Sequence, residues 1–243
     1  MDTHRAAELL AKPINHLGAR FMLDPITFSR SAELGLPASL ASYVHGRLGV
    51  MGDIDVETAI DNMFFFDKNL VAATWNEPSD LSKTQAGAAY TSICAERGRL
   101  YLEGFKDAKR LAALLERVAD TADDAQAALF AGWRDASRPD DGPGRAYLLL
   151  AVVRELRGCR HMSVCRAADS DPLALVLAQG GEGTARLHGY QNLDHEPASV
   201  DQLASIEAAT HAADAKNYSC LSDSDRSELV TLVQNAVTHA ADQ

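Results

Sequence analysis

RAYLLLAVVRELRGCRHMSVCR, residues 145–166, begins with an unbroken apolar run from Ala146 to Val153 and ends among Arg154, Glu155, Arg157, His161 and Cys165. A helix that is apolar all round is a buried helix. Once it carries this many charges it has to pair them, because an unpaired buried charge is costly. At about 100° per residue, Tyr147, Leu150, Arg154, Arg157, Gly158, His161 and Cys165 fall on one stripe, with Glu155 roughly a quarter-turn away. The stretch reads as the central helix of an all-α, multi-helix domain and as the wall of a polar site in an otherwise apolar protein.

The loop Arg138-Pro-Asp-Asp-Gly-Pro-Gly144 delivers the chain into this helix. Upstream, helical spacing of Leu9, Leu10, Ile14 and Leu17 predicts a first helix over Thr3–Gly18, with Thr3 as cap and Pro13 as a kink or stop. A short helix at Arg30–Leu34 and another at Pro37–Leu48 follow. The turn after them places Gly46, Gly49 and Gly52 within seven residues. Such density implies close backbone approach or positive φ. It follows a helix and lacks GxGxxG spacing, so it is no dinucleotide fingerprint.

Asp53–Trp75 reads as one strong helix in which Phe64-Phe65-Phe66 supplies packing. A long helical region from Ser82 or Thr84 to about Val118 and an alanine- and aspartate-rich helix over Ala119–Phe130 complete the upstream half. Downstream come a short helix at Leu173–Ala178, a glycine turn at Gly180–Gly183, and helices over Val200–Ala215 and Arg226–Ala240. The glycine turn lacks the lysine and hydroxyl residue of a phosphate loop. The organisation expected is a helical core over 1–166 and a C-terminal helical region over 167–243 packed on it.

Bulk properties narrow the function. The chain has 243 residues, 47% hydrophobic, and a formal net charge of −11. That charge argues against a general nucleic-acid or anionic-membrane binder, whose affinity comes from a basic surface. The C-terminal part is the most acidic: Arg166, Arg186, Lys216 and Arg226 stand against twelve Asp and Glu, a net of minus eight. Cys94, Cys159, Cys165 and Cys220 have no CxxC or framework spacing and read as reduced thiols. With no signal-peptide pattern and no run of about 18 apolar residues, a cytoplasmic protein without a membrane span is expected.

Three stretches carry a resemblance: GRLGVMGD (46–53), LFAGWR (129–134) and VRELRGCRH (153–161), joined by EAAT (207–210) and the tail YSCLSDSDRSELVTLV. Together they resemble a mostly helical actinobacterial family carried under a helix-turn-helix label. That resemblance implies a winged-helix ancestry for the C-terminal part but no particular reaction. Where the family often carries an aspartate after the threonine, this chain has His211. A winged hairpin asks for a tight glycine turn between β-branched strands, and Lys216-Asn217-Tyr218 lacks the glycine. A recognition helix asks for Lys and Arg, which are scarce here.

The candidate site residues are Arg47, Trp133, Arg134, Arg154, Arg157 and Glu207 for ligand binding, and His161 with Glu155 for acid–base chemistry. Converging arginines suit a carboxylate or phosphate through bidentate, charge-assisted bonds. His161 beside them is held neutral and is available as a base. Competing readings are an ion-pair network that only fixes helix packing, a histidine satisfied between helices, and inert buried cysteines. His161 and Cys165 are i,i+4, but two ligands do not make a metal site, and no cofactor is expected. The expectation is a small-molecule-binding helical protein, with enzymatic use in specialised metabolism as its strongest form. The alternatives are a winged-helix-type transcriptional regulator or ligand sensor, acting on DNA or on a protein, and a helical interaction protein without a ligand. A homodimer is the expected assembly.

Overall fold

The computed structural model describes residues 1–241, and among these residues there are helices and no strands. The elements are α1 (Thr3–Ala19), α2 (Pro25–Glu33), α3 (Ala41–Leu48), α4 (Val56–Asn62), α5 (Lys68–Trp75), α6 (Lys83–Tyr101), α7 (Ala108–Thr121), α8 (Ala128–Arg134), α9 (Gly142–Ala167), α10 (Pro172–Leu187), α11 (Val200–Ala215) and α12 (Asp223–Ala241). Helix α9 is the 26-residue centre, and Ala146–Val153 is buried on every face. It packs against α1, α6, α7, α8 and α11. Asp141 caps its start by accepting from the Gly144 amide, with Pro143 in the first turn. One apolar core extends from Ala6 on α1 to Ala240 on α12.

Local chemistry sets the helix ends. Asp2, not Thr3, caps α1, accepting from Arg5 N at 2.8 Å. Helix α1 also carries Pro13 in its interior without ending there. The second helix starts earlier than spacing alone suggests, because Asp24 and Pro25 form a cap and first turn. The expected single helix over 53–75 is two. Asp67 is the reason: its carboxylate accepts from the Asn69 and Leu70 amides and starts α5 anew, leaving Phe64–Phe66 in the turn between α4 and α5. The expected helix over 119–130 also gives way. Asp123 accepts from the Ala125 amide, Gln126 takes φ 59°, and α8 begins only at Ala128.

The glycine turn is a contact between backbones. A Cβ on Gly49 would lie 2.1 Å from the Lys83 carbonyl oxygen and 2.8 Å from the Gly87 nitrogen, while Gly52 takes φ 82°. Because a main chain cannot rotate aside as a side chain can, Gly49→Ala is expected to cost about 1–3 kcal/mol or more, read as a lower urea midpoint. An unchanged midpoint would contradict this packing. The break expected in the glycine run after α10's first turns falls at Gly181, with φ 68° and ψ −171° inside α10. Lys216–Cys220 forms a 3₁₀ turn between α11 and α12, where a winged fold would place its hairpin.

Candidate functional site

The C-terminal half of α9 lies beside a cavity of about 890 Å³, with further walls from α1, the 63–66 turn, α10 and α11. Arg154, Arg157, Gly158 and His161 all reach it, as the stripe on α9 requires. Arg47 reaches it from α3 and Glu207 from α11. Among the expected site residues, Glu155, Trp133 and Arg134 do not line it.

Glu155 is fully buried one layer behind the wall. It receives Nη2 of Arg47 at 2.8 Å and Nε of Arg47 at 3.3 Å, and Nη1 of Arg154 at 2.6 Å. Burial alone would raise its carboxyl pKa, but the Arg47 and Arg154 guanidiniums outweigh it and hold it below the ordinary carboxylate range. This carboxylate, held between two guanidiniums and away from the cavity lining, holds the two arginines in place. Trp133 is also fully buried, and its Nε1–H donates to the Arg47 carbonyl oxygen at 3.1 Å. It fixes the backbone from which Arg47 projects. Arg134 turns outward to Asp124 at 2.7 Å and Asp135 at 3.3 Å, with Phe130 under its guanidinium.

Arg157 donates to Glu207 at 2.6 Å, and His211 lies 3.4 Å from the same carboxylate oxygen. The neighbouring turn of α11 holds His161. Thr210 uses its hydroxyl proton on the Ile206 carbonyl at 2.8 Å, so its oxygen accepts from Nδ1–H of His161 at 3.0 Å. This assigns the tautomer and leaves Nε2 of His161 with a lone pair, 3.9 Å from the Cys165 sulfur. Burial and then Arg157 push the His161 pKa down, so the ring is neutral at neutral pH. Burial pushes the Cys165 thiol up to about 11 and also raises Cys159, which disfavours the thiolate at both.

Part of the wall escaped sequence reasoning. Phe64, Phe65 and Phe66 line the cavity from a turn. Phe65 stacks on His161 at 5.5 Å, and Phe66 stacks on His188 at 4.2 Å. Lys12 and Asn15 face it from α1. Their i,i+3 spacing opposite Leu10 and Leu17 is the signal that would have found them.

The histidines make the fold acid-sensitive. His45, His161, His188 and His211 all have pKa values lowered mainly by burial. The unfolded chain takes up these protons first, so stability falls as pH drops through about 6.5. Asp214 on α11 works the other way, because burial raises its carboxyl to about 6. Its protonation in the folded state offsets part of the loss. The melting temperature is expected to fall between about pH 7 and about pH 5, and more steeply in Asp214→Asn. A flat profile would contradict the assignment of neutral buried histidines.

Among the described residues, no group of three His, Cys, Asp or Glu side chains is placed to hold a metal ion. Likewise, no helix there is long and apolar enough to cross a membrane. No curated protein and no solved structure matches the chain. A helix-turn-helix family profile matches residues 7–196, which run from α1 through α10 and stop short of α11 and α12. With this match spanning most of its length, the chain belongs to that helix-turn-helix family.

Proposed function

We propose that the protein binds an anionic small molecule with an apolar body in the cavity beside α9. The observation that carries this reading is the charge balance of Arg47, Arg154 and Glu155. Arg47 and Arg154 share the single carboxylate of Glu155, so one positive charge is left over. Nε of Arg154 is buried without a partner, and Arg154 lines the cavity. A surplus guanidinium facing an apolar-walled space is stabilised by an anion that enters it. The rest of the lining agrees: five basic side chains (Lys12, Arg20, Arg47, Arg154 and Arg157) stand against two carboxylates (Asp24 and Glu207) in a chain of net charge −11. The volume falls in the range of drug-sized ligand pockets.

Fluorescence titration with anilinonaphthalenesulfonate, an anionic apolar probe, tests the reading. Arg154→Met leaves Arg47 and Glu155 as a neutral pair, so the variant is expected to fold. It is expected to bind the probe about tenfold to a hundredfold more weakly, the worth of hydrogen bonds to a charged group. Undiminished affinity in a folded variant would overturn the reading. Native mass spectrometry of the purified protein, compared with its denatured mass, would identify a ligand retained from the cell.

The family match favours a second reading, a regulator that recognises DNA. Charge stands against it. Arg110 and Arg117 pair with Asp225 and Glu228 of α12, and Arg226 is buried against backbone carbonyls. Duplex DNA at low salt is expected to show no binding by fluorescence anisotropy. Binding that weakens steeply with salt would reinstate the regulator reading.

A further inference from the structure

Gly158 sits in the middle of α9, where a glycine is less favourable than alanine because its backbone is freer in the unfolded chain. In α3 and α6, packing accounts for the helical glycines. A Cβ on Gly98 would lie 2.3 Å from the Cβ of Tyr147, and one on Gly46 would lie 2.4 Å from the Tyr90 ring. A Cβ on Gly158 would meet no protein atom within 4 Å. It would project into the cavity, one residue from Arg157, four from Arg154 and three from His161. Packing therefore does not account for the glycine, but access to the helix backbone from the cavity does.

The surroundings say what would use that access. The phenylalanine turn makes an aromatic wall: Phe65 stacks on His161 of α9, and Phe66 stacks on His188 at the end of α10. Beside Gly158 on its own helix stand the guanidiniums of Arg154 and Arg157 and the imidazole of His161. A ring lying flat on a helix reaches the backbone itself only where no Cβ stands. Guanidiniums at its edge suit a carboxylate or a sulfonate carried on the ring.

We propose that Gly158 is the floor of a subsite for a planar aromatic anion, with the ring seated on the α9 backbone facing the phenylalanine turn and the acid held by Arg154 and Arg157. This rests on the ligand-binding reading and names the class of ligand.

The test compares wild type with Gly158→Ala and with Gly183→Ala, a control on α10 where a Cβ also meets no atom within 4 Å and which does not line the cavity. Each variant is melted without ligand and titrated with anilinonaphthalenesulfonate and with naphthoate. Gly158→Ala is expected to raise the melting temperature by about 2–4 °C, the usual gain for removing a helix-interior glycine in a chain of this size, and Gly183→Ala by less, because it stands in the first turn after the break at Gly181. Only Gly158→Ala is expected to weaken binding, by roughly tenfold or more, since an intruding methyl overpacks the subsite. If wild type binds and Gly158→Ala binds equally well, the subsite assignment falls while the cavity remains a binding site. A lower melting temperature in Gly158→Ala would also overturn it, by showing that packing requires the glycine. Absence of binding by wild type would overturn the ligand-binding reading, and this subsite with it.

Discussion

Glu155→Ala is expected to lower the free energy of unfolding by about 3–5 kcal/mol, which is the usual cost of removing one partner from a buried ion pair. The carboxylate is fully buried and is the acceptor for both Arg47 and Arg154. Without it, Arg47 is left charged and almost wholly enclosed, with the Met63 sulfur at 3.0 Å as its nearest remaining side-chain acceptor. Arg154 is better placed, because it opens on the cavity. Replacing the pair together, as Arg47→Met with Glu155→Leu, is expected to recover most of the loss, since apolar groups of similar volume remove the charge along with its partner. Urea unfolding of the two variants distinguishes the cases. A Glu155→Ala variant as stable as wild type would mean that water reaches the pair and that the triad carries no surplus buried charge.

Trp133→Ala is the second large effect, expected to cost about 3–5 kcal/mol. The indole is fully buried among Phe21, Tyr90 and the central helix, with ring centroids 6.4 Å from Phe21 and 6.3 Å from Tyr90. It also supplies the donor for the Arg47 carbonyl. Trp133→Phe separates the two roles, because it keeps most of the buried ring and removes the donor. Its cost is expected to be about 1–3 kcal/mol, the penalty for a buried carbonyl left without its partner. If the alanine variant lost no more than the phenylalanine variant, the indole's packing would not be a support of the site.

The centre of this fold was legible because a run from Ala146 to Val153 that is apolar on every face leaves burial as the only outcome. The stripe Arg154, Arg157, Gly158 and His161 followed from the helical period alone. The same period set Glu155 a quarter-turn off that stripe. What it could not show was that this quarter-turn buries the carboxylate completely, because its partner Arg47 comes from α3, far away in sequence. The phenylalanine turn was hidden for a different reason. An aromatic run fits a helix equally well, and the deciding signal is a single aspartate, Asp67, that restarts the helix by capping it. Arg134 looked like a site residue because of the residues beside it. Its direction was set by Asp124, in a segment where side-chain acceptors break the helix locally. The glycine turn was read correctly in kind, as close approach or positive φ, since Gly49 shows the first and Gly52 the second.

The central claim is that the cavity beside α9 takes an anion with an aromatic body. The most direct measurement is a crystal structure of the wild-type protein soaked with bromonaphthoate, located by the anomalous signal of bromine. One peak is expected inside the cavity, with the ring in contact with Gly158 and the carboxylate within hydrogen-bond distance of Arg154 or Arg157. A peak elsewhere on the molecule, or no ordered ligand in the cavity, would contradict it.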